Sequence, residues 1–162
     1  MAMDLFIKIG SLEGEGEDAE FNKWIDVLAW SWGGSQSGTA VSGGGMGGGK
    51  VNMQNFSFTK YTDIVSPKLW GQMSTGKHFD KVQFKARKSG GKPFVYLDME
   101  FEFAILTAIS TGGSGGEDRT TENVTFDYKT FKLQYFKQSK DTGESDGDDQ
   151  FKFDIAQNIE VA

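Results

Sequence analysis

The stretch Phe94-Val95-Tyr96-Leu97-Asp98-Met99-Glu100-Phe101-Glu102-Phe103-Ala104-Ile105-Leu106 decides the fold class. Val95, Leu97, Met99, Phe101, Phe103 and Ile105 fall on one side of an extended chain, and Tyr96, Asp98, Glu100 and Glu102 on the other. Successive side chains of a strand point to opposite faces. This period of two therefore predicts a strand with one buried face and one that is wet or partner-facing. Strands of that kind belong to antiparallel sheets. Outward from it the same alternation recurs, with Met3, Leu5, Ile7 and Ile9 sharing one face of an N-terminal strand. Val51–Tyr61, Val82–Lys88 and Phe151–Ile159 bring the strand count to about seven or eight.

Two segments break the rule. In Glu122–Phe136 the apolar face changes between Tyr128 and Phe131, which predicts a bulge near Lys129–Thr130. In Trp24–Trp32, Ile25, Val27 and Ala29 oppose Leu28, Trp30 and Trp32, so both faces ask for cover. One is expected to be core and the other to meet a second subunit. A single helix is predicted over Pro67–Thr75, with Ser66 as N-cap, Pro67 in the first position and Gly76 as the stop. Val65 and Trp70 occupy hydrophobic-staple positions, and Leu69 and Met73 lie one turn apart on the buried stripe. Such a short helix is suited to sealing one side or end of a barrel.

The chain has 162 residues, of which 22 are glycine and only 2 proline, and 14% are aromatic. Disordered chains are poor in aromatics, so the glycine excess does not imply disorder. The length is one domain's worth, spanning residues 1–162, and allows about two-thirds of the unfolded surface to be buried. With no cysteine there is no disulfide scaffold, thiol nucleophile or Cys-ligated metal site. A net charge of −6 argues against nucleic acid as a partner. Asp4 and Lys8 interrupt the apolar residues of the first ten positions, so these do not read as a secretory signal. No apolar run is long enough for membrane insertion. The expectation is a cytoplasmic protein whose export, if any, uses something other than a cleaved leader.

Several motifs imitate chemistry. Gly44-Gly45-Met46-Gly47-Gly48-Gly49-Lys50 has phosphate-loop spacing, but Val51 follows where a hydroxyl should hold Mg²⁺, and a strand pattern follows where a helix should open. Gly43, Gly45 and Gly48 show dinucleotide spacing and fail for the same reason, so no cofactor is expected. His78 is the only histidine, which excludes a multi-histidine metal site. Ser74, His78 and Asp80 are poorly spaced to converge as a triad, and no strand–turn nucleophile elbow is present. Asp98, Glu100 and Glu102 share one strand face and read as a solvated row, not a pair across a cleft. Asp141–Asp149 lacks the spacing of a calcium loop. Asn55-Phe56-Ser57 and Asn123-Val124-Thr125 match glycosylation sequons without a secretory context. No catalytic residue and no metal ligand emerges.

Two loops exceed background. Seven of the twelve residues in Gly38–Gly49 are glycine. Glycine lets backbone approach closely, so this tract reads as an extended strap that can lie against a neighbouring molecule. The acidic stretch 140–150 reads instead as a solvated hairpin loop or excursion. The second feature is Ser110–Asn123, where Gly112, Gly113, Gly115 and Gly116 permit the bend. Ser114, Glu117, Asp118, Arg119 and Asn123 offer directional hydrogen bonds and ion pairs beyond what a hairpin needs, which favours an interface.

These segments resemble the haemolysin-coregulated protein family, Hcp, the tube protein of bacterial type VI secretion systems. The resemblance rests on Ile25-Asp26-Val27-Leu28-Ala29-Trp30-Ser31-Trp32-Gly33, Phe58-Thr59-Lys60, Ser66-Pro67, Ser74-Thr75-Gly76-Lys77-His78 and the run Ser110–Thr125. Their order and spacing cover essentially the whole chain; the acidic 140–150 segment and the detail of the glycine tract depart most. The resemblance implies a mainly β fold, a small antiparallel β-barrel of two sheets with one short α-helix. It also implies a homohexameric ring that stacks into a hollow tube, is propelled by a contractile sheath from a baseplate, and is capped by a spike protein. It implies as well that small effector toxins ride inside and that the protein moves from bacterial cytoplasm to the exterior through the apparatus.

On that reading Gly43, Gly44, Gly45, Met46, Gly47, Gly48 and Gly49 form the ring-stacking loop. Gly112–Glu117, Asp118, Arg119 and Asn123 lock ring neighbours, and Ser31 is the expected lumen contact with cargo. Trp24–Trp32 and Phe94–Leu106 are the surfaces expected to close the ring. The competing reading is a monomeric or dimeric β-sandwich that binds carbohydrate through exposed tryptophan and tyrosine. An esterase using Ser74 and His78 ranks behind both.

Overall fold

The computed structural model describes residues 2–38 and 50–162. The first strands are β1 (Met3–Ile9), β2 (Ile25–Asp26), β3 (Ala29–Ser31), β4 (Gly34–Ser35), β5 (Asn52–Met53) and β6 (Phe56–Tyr61). The helix α1 (Ser66–Thr75) follows. Then come β7 (His78–Lys88), β8 (Phe94–Gly112), β9 (Thr121–Asp127), β10 (Thr130–Gln138), β11 (Ser145–Asp154) and β12 (Ile159–Glu160). Neighbouring strands pair antiparallel throughout, as the period-two pattern predicts.

The main sheet runs β12-β11-β10-β8-β7-β1-β2, and β3-β6-β9 leads back to β8. Two chain segments turn this sheet into a hydrogen-bonded circuit. One edge of β8 pairs with β10 as far as Glu102, then with β9 from Ile105 onward. Likewise β2 pairs with β1, and three residues later β3 pairs with β6. Because each segment changes partner at a corner, the sheet folds back over itself and encloses a core. β10, β11 and β12 continue the sheet outside that circuit.

The core is aromatic. Phe56, Phe58, Phe84, Phe101 and Phe126 are fully buried. The Phe56 ring lies 5.1, 5.2 and 5.3 Å from the centroids of Phe101, Phe126 and Phe84. Each such side chain contributes about 1.5–3 kcal/mol by leaving water, and each well-placed ring pair about 1 kcal/mol more. This core explains why the glycine-rich chain is ordered.

Both corners shift the phase of the alternation, and here the structure corrects the sequence reading. Phe103 has φ 52° and is 56% exposed, while Ala104 and Leu106 take the core positions beyond it. The left-handed residue turns the chain at the step where β8 exchanges β10 for β9, so Phe103 does not continue the buried row of Met99 and Phe101. In Trp24–Trp32 the Val27 N–H donates to the Leu5 carbonyl and the Leu28 N–H to the Thr59 carbonyl. Ile25 and Val27 are buried before this corner, and Trp30 and Trp32 pack on the core after it. The two-sided apolar pattern is therefore one buried face changing phase, and only Leu28 and Ala29 are left exposed.

The switch expected at Lys129–Thr130 occurs there, as a break between β9 and β10 at Tyr128–Lys129. α1 ends at Gly76 with φ 69°, as expected, but its N-cap is Val65, with no side-chain cap bond. Much of the acidic 140–150 segment is strand: Ser145–Gln150 belong to β11, and the turn tightens to the residues around Gly143.

Candidate assembly surfaces

Beneath the Ser110–Asn123 loop lies a buried ion pair. Lys60 and Glu122 face each other across β6 and β9 at an inward position, in register after Phe56, Phe58 and before Val124, Phe126. Lys60 Nζ also donates to Asp63 Oδ1 at 2.9 Å, to Ser66 Oγ at 3.0 Å and to the Tyr61 carbonyl at 3.0 Å. Ser66 Oγ accepts from the Asp63 N–H and donates to Glu122, which is why it does not cap the helix. Burial pushes the Glu122 carboxyl up, but the hydrogen bonds from Lys60 and Ser66 outweigh it and leave it below the usual carboxylate range. The network ties the start of α1 to the two strands that carry the loop. Its only sequence signal was a lysine and a glutamate at core-facing steps of two strands.

The loop itself is held by short contacts. The Thr62 N–H donates to the Thr120 carbonyl at 3.0 Å, and Thr120 Oγ1 donates to Thr62 Oγ1 at 2.6 Å. A Cβ at Gly113 would meet Thr120 Cγ2 at 2.9 Å, so that glycine is required by close approach; Gly112, Gly115 and Gly116 face open space. Ser114 accepts the Glu117 N–H through its carbonyl. The Arg119 guanidinium lies 4.0 Å from the centre of the Tyr61 ring. Asn123, one step beyond Glu122, accepts the Thr59 hydroxyl at 2.6 Å. The sequence-selected residues from Gly112 to Asn123 thus form one exposed hairpin end, with Glu117 and Asp118 at its tip.

Ser31 is exposed on β3. It belongs to the outer face of the sheet β3-β6-β9-β8, where the rows Ser31, Ser57, Thr125, Ala108 and Ala29, Thr59, Asn123, Ser110 run across the strands. These rows carry no charge. Ser57 and Thr125 share a hydroxyl hydrogen bond of 2.9 Å. The two rows are small-residued and hydroxyl-rich.

The opposite sheet carries a charge ladder on its outer face. Asp98, Glu100 and Glu102 on β8 meet Lys85 at 2.8 Å, Lys132 at 3.7 Å and Lys152 at 3.0 Å. The row expected to be solvated is thus cross-paired with lysines, and Asp98 is buried. Ser74 donates its hydroxyl to the Trp70 carbonyl, and among the described residues no hydrogen bond joins it to His78 or Asp80. Sequence reasoning also missed Arg87. Its guanidinium donates to Asp18, Asp4 and Glu20 while lying 5.0 Å and 5.5 Å from the Phe6 and Phe21 rings. The hydrogen bond from Arg87 pulls the Asp18 carboxyl down to about 2. That cluster clamps the 10–24 loop onto β1 and β7.

β10 and β11 extend the core-side face past the closed circuit. Across the sheet the row Ile7, Phe84, Met99 is buried, but it continues into Leu133 at 36% and Phe151 at 41% exposure. Tyr135, one row along, is 50% exposed. Gly43 to Gly49, including Met46, lie outside the described residues.

Residues 6–135 match the family described as "Type VI secretion system effector, Hcp". The chain is 46% identical to Protein hcp1 of Pseudomonas aeruginosa, with 99% of this chain and all of that one aligned. Its fold superimposes on a solved type six secretion system protein with a TM-score of 0.92 at 28% identity, covering 99% of this chain and 100% of that one. Hcp1 from Salmonella typhimurium follows with 0.82 at 32% identity and the same coverage. The antiparallel barrel, its single helix and these likenesses along the whole chain agree: the protein belongs to the Hcp family of type VI secretion system proteins.

Proposed function

We propose that this chain assembles into a hexameric ring, that rings stack into the inner tube of a type VI apparatus, and that small effector proteins travel in the lumen. The tube is expelled with the spike protein when the contractile sheath shortens from the baseplate, so the protein leaves the bacterial cytoplasm through the machine. The observation that carries this reading is the family match over residues 6–135. The uncharged rows around Ser31 support the cargo part, because a patch without fixed charges lets varied protein surfaces pass without ionic trapping. A ring needs two different complementary faces on each copy, and the hairpin end around Arg119 and the overhanging β10–β11 face are two such surfaces. Gly43–Gly49 supports stacking by composition, since glycine permits close backbone approach between rings.

Native mass measurement together with negative-stain microscopy tests the reading: particles of six copies are expected, and a monomer at all concentrations overturns it. Deleting Gly43–Gly49 should spare the ring and abolish stacking; unchanged polymerisation removes that role from the loop. Six copies at −6 each carry −36. Stacking should therefore strengthen as salt screens ring repulsion.

A further inference from the structure

We infer that the overhanging face of β10–β11 is the docking surface for a second copy of this chain, and that it receives the Arg119 end of that copy. The inference rests on the ring reading and names the contact within it. Leu133 and Phe151 lie on the core side of the sheet in the row that is buried at Ile7, Phe84 and Met99, and Tyr135 lies in the adjoining row, where Ala86 is buried and Leu5 and Leu97 are half-buried. Among the described residues, the strands β3, β6 and β9 that close the core pair with one another and with β8 and not with β10 or β11. Apolar side chains continuous with a core, at the edge of a sheet, are the pattern of an interface cut open.

Charge selects the occupant. Tyr135 stands opposite Asp149 on β11, so this carboxylate lies on the same face, whereas Asp148 points to the other face beside Gln134 and Asp146 is paired with Lys137. Among the described residues no lysine or arginine lies within ion-pair distance of Asp149 or Asp148. Two β11 strands brought together would set carboxylate against carboxylate, so the face cannot dock on its own image. The contact must be heterologous, as ring closure requires. Arg119 has the matching properties. It makes no ion pair within its own chain among the described residues, it is exposed, and it lies stacked over Tyr61. An arginine stacked on tyrosine is a preorganised donor that can meet a carboxylate and an aromatic edge together.

The test is a charge exchange read by the protein concentration at which rings dissociate. Arg119→Glu and Asp149→Arg should each raise that midpoint about tenfold, and the double variant should return to within about threefold of native. Tyr135→Ser, at a half-exposed position, should weaken the ring while leaving the monomer's unfolding curve in place. Rings that persist unchanged in both single variants, or a double variant no better than the worse single, overturn this contact and leave the ring reading standing. If the native chain forms no ring, both fail together.

Discussion

Lys60 Nζ and Glu122 Oε1 lie 2.7 Å apart with their side chains 0% and 2% exposed, directly beneath the loop that carries Arg119. An ion pair so far from water adds little net stability when whole but costs much when halved. Glu122→Gln is expected to destabilise the fold by about 1–3 kcal/mol, because the buried Lys60 ammonium keeps Asp63 but loses the closer of its two carboxylates. Lys60→Met with Glu122→Leu should cost far less than the two single changes added together. Urea unfolding of the four proteins decides, and additive costs would contradict the coupling.

Asp18 sets an acid dependence. Its carboxyl falls from 3.8 to about 2 in the fold, chiefly through the hydrogen bond from Arg87. A depressed pKa stabilises the folded chain above the unfolded value, and that stability is lost as pH falls through the folded value. Stability should therefore decline between pH 4 and pH 2 more steeply in the native protein than in Asp18→Asn. Denaturant midpoints measured across that window would show parallel curves if the clamp contributed nothing.

Gly113 and its neighbours should respond differently to alanine. At Gly113 the new methyl meets Thr120 at 2.9 Å, and Thr120 is tied to Thr62. A cost of about 1–2 kcal/mol is expected there. Gly115→Ala and Gly116→Ala, facing open space, should stay within about 0.5 kcal/mol of native. Thermal melts of the three variants are sufficient to compare them.

Phe103 holds its corner at φ 52° without the freedom of glycine. Phe103→Val adds a β-branch at a left-handed position and should cost about 1–3 kcal/mol. Phe103→Gly removes the strain and should cost less than Phe103→Val, even though it gives up the contact with Lys129 at 5.4 Å. The reverse order in a melting series would mean that the ring's packing matters more than the backbone turn.

Ser31 tests cargo. Ser31→Glu puts a bulky charge into an uncharged patch at an exposed site, so folding and ring mass should be unchanged. Co-purification of small effector proteins with the ring should fall several-fold. Normal retention would move the cargo contact elsewhere.

Much of this was legible in the chain. Alternation in Met3–Ile9 and Val82–Lys88 located β1 and most of β7, and the Pro67–Thr75 prediction missed the helix start by one residue. Gly76 ended that helix for a local reason, its ease in the left-handed region. The hairpin end from Gly112 to Asn123 was also visible, since its composition exceeds the needs of a turn. What misled was phase. Alternation makes Phe94–Leu106 a strand with one unbroken buried face and Trp24–Trp32 a strand apolar on both faces, whereas both change partner, at Phe103 and Leu28. Ser66 looked like a cap because its local context is that of one.

The sequence by itself determined strand periodicity, the helix and the family, because side-chain alternation, turn chemistry and capping act over a few residues. Only the tertiary structure decided where β8 leaves β10 for β9, and that Lys60 finds Glu122. It also decided that Ser66 serves that pair and that Leu133, Tyr135 and Phe151 overhang the core. Those outcomes depend on which distant segments pair. Hydrogen bonds and burial between residues tens of positions apart outweigh local preference, and a pattern of period two carries no record of its partner.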